Sequence, residues 1–65
     1  MKLIHSDTGE EVSFGETYKD FRGVPHVVVG GSVPRHSGST GRVWTADGFE
    51  YFPHVFAMTW VEDTA

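Results

Sequence analysis

Four histidines, His5, His26, His36 and His54, are the side chains here that could both move protons near neutral pH and bind a metal. No two of them stand at i, i+2 or i, i+4, and none has a carboxylate as its immediate neighbour to orient the ring. The expectation is scattered, hydrogen-bonded histidines, with no metal and no cofactor. Nucleophilic chemistry is also poorly served. There is no cysteine, and Ser6, Ser13, Ser32, Ser37 and Ser39 lack a nucleophile-elbow motif. The paired carboxylates Glu10 and Glu11 follow a turn sequence, where solvation explains them. These residues argue against an enzyme, and so does the small dry volume that a chain of 65 residues can enclose.

Binding is better supported. Residues 35–42 (RHSGSTGR) carry Arg35, His36, Ser39, Thr40 and Arg42 together with two glycines, so guanidinium forks, hydroxyls and backbone N–H groups could meet one phosphate or carboxylate. The spacing is not that of a nucleotide-binding P-loop. The bland alternative is a connection rich in turn formers. The nine aromatic rings are a second signal, because they exceed what one very small core can bury. If Val43 and Tyr51 face inward, strand alternation turns Trp44 and Phe52 outward on adjacent strands, with His54 just beyond. Two readings of those rings stay open: a partner surface, or a second minor core under residues 15–23.

The elements that must position these residues follow from the punctuation. Eight glycines and three prolines recur at the spacing of short strands joined by turns, and no stretch supports a long helix. Residues 2–5 and 11–14 flank Asp7-Thr8-Gly9 as a first hairpin. Residues 15–23 (GETYKDFRG) read as an irregular connection anchored by Phe21. Residues 24–33 are rich in β-branched side chains, with Pro25 confined to the strand's beginning or an edge and Gly30-Gly31 marking a bulge. Residues 42–46 and 49–52 are joined by Asp47-Gly48, a strong hairpin signal. Residues 53–56 fit one 3₁₀ turn, residues 57–62 a last strand, and residues 63–65 a frayed end. The prediction is one all-β domain spanning residues 1–65: a small, partly open barrel of five to six strands with a short 3₁₀ turn before the last.

The run Glu50-Tyr51-Phe52-Pro53-His54-Val55-Phe56 resembles the end of a Src-homology-3-like barrel, in which an apolar residue and a proline lead through a 3₁₀ turn into the closing strand. That resemblance implies fold and not ligand. The chain also resembles small uncharacterised proteins of tailed bacteriophages. The shared features are Pro34-Arg35-His36, Ser39-Thr40-Gly41-Arg42-Val43, the run from Tyr51 to Phe56, Trp60, and residues 15–23. This second resemblance implies a phage product acting in the host bacterial cytoplasm. It implies no catalytic residues.

Composition bounds the partners. A chain this short buries only about 60% of its unfolded surface, and without cysteine neither disulfides nor thiolate zinc sites can supplement the core. The start MKLIHSDTGEE has neither the basic end nor the apolar run of a signal peptide, and no apolar run approaches the roughly 20 residues of a membrane span. A net charge of −4 disfavours nucleic acid. Yet Lys19, Arg22, Arg35 and Arg42 occupy the middle while acids gather towards the ends, which leaves a local basic face open. The expected function is therefore a non-enzymatic module that binds a host or phage protein, as in host takeover. The alternatives are a nucleic-acid-binding barrel and a structural homo-oligomer such as a homodimer.

Overall fold

A computed structural model describes residues 1–62, so the predicted fraying of residues 63–65 lies outside the described residues. Among the described residues six strands and one 3₁₀ turn follow in order: β1 (Lys2–His5), β2 (Thr17–Lys19), β3 (Pro25–Ser32), β4 (Arg42–Thr45), β5 (Glu50–Tyr51), the turn Pro53–Phe56, and β6 (Met58–Val61). They form two antiparallel sheets, one of order β1-β6 and one of order β2-β3-β4-β5, and these do not close into a barrel. The all-β prediction holds in this coarser form. Among the described residues no helix is long and apolar enough to cross a membrane.

Local chemistry explains most boundaries. Pro25 opens β3, where its missing N–H costs least, opposite Lys19. The register between β3 and β4 shifts between Val28 and Gly30, so Val29 is the extra residue of a bulge at the start of the glycine pair. Gly48, with φ +91°, closes the β4–β5 turn through its N–H to the Thr45 carbonyl (3.0 Å), and the Thr45 N–H then donates to Phe49 (3.0 Å). Pro53 starts the 3₁₀ turn at a position where no N–H is needed. Ala57 ends that turn in the left-handed region (φ 56°, ψ 44°), unusual for a residue with a Cβ. Ser6 holds it there, its N–H and hydroxyl both donating to the Ala57 carbonyl at 2.8 and 2.9 Å.

One expectation is completed and one corrected. The first hairpin forms: the Gly9 N–H, with Gly9 at φ +77°, donates to the His5 carbonyl (2.8 Å), the His5 N–H to Glu10 (2.8 Å) and the Val12 N–H to Leu3 (2.9 Å), and Ile4 bridges Glu11. Along its whole length, however, β1 pairs with β6, in a register from Lys2↔Val61 to His5↔Met58. Residues 15–23 are not an irregular connection. They contain β2, and they end in a tight hairpin whose tip exposes Phe21 at 77%. Turn geometry decides this. The Asp20 N–H donates to Val24 (3.0 Å) and the Gly23 N–H to Asp20 (2.9 Å), with Gly23 at φ +81°, and a loop of three residues so closed has no way to fold its first side chain, Phe21, under the sheet.

The core lies between the sheets. Leu3, Val12, Val28, Val43, Phe56 and Met58 are buried, with Tyr18, Tyr51, Val55 and Trp60 packed against them. Complete burial of Val28 and Val43 is worth about 1.5–3 kcal/mol each, which makes this a slender core. Backbone fit at Trp60 matters correspondingly. A Cβ on Gly31 would lie 2.9 Å from the Trp60 ring, and one on Gly41 would lie 2.7 Å from it, so the indole packs directly on two glycine backbones.

Candidate functional site

Strand alternation builds the first part of the site. On β4 the side chains of Val43 and Thr45 are buried while Arg42 and Trp44 face out; across the hairpin Val43 pairs with Tyr51 and Trp44 with Glu50. Trp44 is 41% exposed and Phe52 46% exposed, in the predicted orientation. The Trp44 ring lies over Gly30, where a Cβ would sit 3.4 Å from it.

A row of contacts links these groups. The Trp44 indole N–H donates to Glu50 Oε2 (3.0 Å), Glu50 Oε1 lies 3.6 Å from Arg42 Nε, and the Arg42 guanidinium lies 4.2 Å from the centre of the Phe52 ring. Phe52 in turn stacks on His54, with centres 5.6 Å apart and planes 19° from parallel. Each contact is at the surface, where an ion pair is worth about 0–1 kcal/mol and a cation–π contact about 0.5–1 kcal/mol. The row therefore adds little to stability. What it does is hold two exposed rings and a guanidinium in a fixed arrangement.

An open cleft of about 270 Å³ adjoins this row. It brings together four of the predicted residues, Arg35, His36, Ser39 and Arg42, and adds Ser32 and Glu50. Thr40 is exposed and stands outside the lining, as do Trp44, Phe52 and His54 on the neighbouring face. The loop is shaped from within: the Ser39 N–H donates to His36 (3.1 Å), the Gly41 N–H donates to the Ser39 hydroxyl oxygen (3.3 Å), and His36 Nδ1 donates to the Ser37 carbonyl (3.0 Å). The expected contribution of backbone N–H groups to an anion is thereby corrected at Ser39 and Gly41, because both are used in folding the loop. Side-chain donors remain. Below them Trp60 braces the base of the loop, its ring against Gly41 and its N–H 3.4 Å from the Arg42 carbonyl.

A second polar cluster lies at the β2–β3 hairpin, where the sequence offered no partner for a histidine. Asp20, its side chain 1% exposed, accepts the Arg22 and Val24 N–H groups on Oδ1 (2.9 and 3.0 Å), and its Oδ2 lies 3.0 Å from His26 Nε2. Opposite an ionised carboxylate that Nε2 is the donor. Burial alone would raise the Asp20 carboxyl, but the Val24 N–H, the His26 ring, the Arg22 N–H and the Arg22 guanidinium together hold it below its ordinary value of 3.8. The His26 ring meets Tyr51 and Phe56 edge-on at 5.3 and 5.4 Å. This pair ties the hairpin to the core. Among the described residues no three His, Asp or Glu side chains gather as a metal site.

Sequence reasoning missed Glu50, Ser32 and the Asp20–His26 pair. Glu50 was within reach, since the Asp47-Gly48 turn sets the register that places it opposite Trp44. Asp20 was also legible in principle, because Asp-x-x-Gly is the signature of a turn whose first side chain caps its own backbone. Comparison with family models, curated proteins and solved structures finds no match to this chain.

Proposed function

We propose that this chain is a non-enzymatic binding module of phage origin that recognises a host or phage protein through Trp44, Phe52 and the 35–42 loop. One observation carries the reading: Trp44 and Phe52 stand outward and 41–46% exposed, held by Glu50 and Arg42 beside a polar cleft. Aromatic and arginine side chains in such an arrangement have the composition of interface hot spots, and their prior ordering lowers the entropy cost of binding. An open cleft suits recognition more than bond making. The pairing of the first strand with the last, after a 3₁₀ turn that begins at Pro53, supports a Src-homology-3-like chain path.

Affinity capture from lysate of a bacterial host tests this. The expected result is one discrete protein that Trp44→Ala and Arg42→Ala both release. Recovery that ignores both substitutions removes the assignment. The same rings and Arg42 also form a platform on which bases could stack, which keeps single-stranded nucleic acid as a second reading. Glu50 in the middle of the platform and the net charge of −4 oppose it. Titration of labelled single-stranded DNA at low and moderate salt separates the two, since binding to a phosphate backbone must weaken as salt rises. A homodimer built on the same face would be visible by light scattering.

A further inference from the structure

We infer that the cleft beside β4 receives a carboxylate of the partner, while Trp44 and Phe52 hold the apolar residue next to it. This rests on the reading of that face as a binding surface and adds the chemistry of what is bound. The donors carry it. Arg35 is exposed and has no hydrogen bond or ion pair among the described residues. Arg42 spends Nη1 on the Gly41 carbonyl (2.9 Å) and turns Nε towards Glu50, which leaves its Nη2 edge without a hydrogen-bond partner among the described residues. The Ser39 oxygen accepts from Gly41, so its own O–H is left to donate. The acceptors that share the lining are Glu50, already turned to Arg42, and His36, whereas the two guanidinium groups are the unspent charged donors, and they call for an anionic acceptor as ligand.

Charge selects among acceptors. On formal charges, Arg35 and Arg42 against Glu50 leave one positive charge in excess at the cleft, within a chain of net charge −4. That excess balances a carboxylate. A phosphate group carrying about −1.5 to −2 would exceed it and meet the repulsion of the whole chain. The carboxylate could be a Glu or Asp side chain or the free end of a polypeptide. Both present the same planar pair of oxygens to a guanidinium fork.

Three acetylated peptides ending in Leu-Phe distinguish these sources: one with a free terminal carboxylate, one amidated, and one amidated with Glu preceding Leu-Phe. Each is titrated into the intact protein while the backbone amide signals of Ser39, Gly41 and Arg42 and the Trp44 indole signal are followed by NMR. At least one carboxylate peptide is expected to shift both sets of signals saturably, at least fivefold more tightly than the plain amide. Arg35→Gln, an exposed change that should not disturb folding, is expected to weaken that peptide about fivefold to tenfold. Equal affinity for all three peptides, absence of any shift at the cleft, or tighter binding of inorganic phosphate would each overturn the inference. The two readings fail separately. Shifts at Trp44 that ignore the carboxylate remove the cleft assignment alone, whereas capture that ignores Trp44→Ala removes the aromatic face even if carboxylates occupy the cleft.

Discussion

The β2–β3 hairpin tip, with His26 beside it on β3, and the 33–41 loop both bring arginine, histidine and glycine together at a connection, yet they treat those groups in opposite ways. At the tip the charge is buried and spent: Asp20 takes two backbone N–H groups and His26, and its contacts fix the loop. At the cleft the backbone is satisfied by backbone and serine, while guanidinium and hydroxyl donors are left facing water. A buried charge with several partners shapes a chain, whereas donors held at a rim without partners are available to a ligand. The contrast also separates the exposed aromatics. Phe21 is exposed because a tight turn leaves it nowhere to go, and Trp44 is exposed on a strand but held by Glu50.

The sharpest break would come at Gly41. With φ +74° and a prospective Cβ 2.5 Å from the Ser32 carbonyl oxygen as well as against Trp60, Gly41→Ala should cost about 2–4 kcal/mol in urea unfolding. A cost below about 0.5 kcal/mol would mean that the loop is not braced from beneath. Next in size, Asp20→Ala should shift unfolding to clearly lower urea, because it strands two backbone N–H groups and the His26 ring.

Asp20 also sets an acid limb. Its carboxyl is lowered in the fold, so its contribution is complete above its ordinary value of 3.8 and is lost as pH falls through the depressed folded value. Asp20→Asn should flatten the fall in stability over this range, measured by denaturant unfolding at a series of acid pH values. An unchanged slope would assign the acid limb to other carboxylates.

Smaller effects test the other side of the comparison. Trp44→Ala should change stability by less than about 1 kcal/mol while weakening partner binding tenfold or more, a split that a packing residue does not give. Phe21→Ala should be nearly silent in stability, within about 0.5 kcal/mol. A loss near 2 kcal/mol would restore Phe21 to the role of anchor that its hydrophobicity alone suggests.

Legibility in the sequence followed the range of the interaction. The Asp47-Gly48 turn, Pro25 at a strand's start, the bulge at Gly30-Gly31 and the 3₁₀ turn at Pro53 are consequences of backbone preferences within a few residues, and each could be read directly. Trp44 and Phe52 were legible because alternation along one strand needs only one inward residue to be known. The pairing of β1 with β6 was not, since nothing near residue 2 specifies a partner some 60 residues away. Phe21 misled because hydrophobicity was weighed above the turn that contains it. The row from Trp44 to His54 required the register of two strands and then the reach of Glu50, which composition does not carry.

The Lys2↔Val61 pairing has one more consequence. Antiparallel partners stand about 5 Å apart, so the chain enters and leaves the unit side by side. Such a unit could be spliced into a surface loop of another protein with little stretching of either strand.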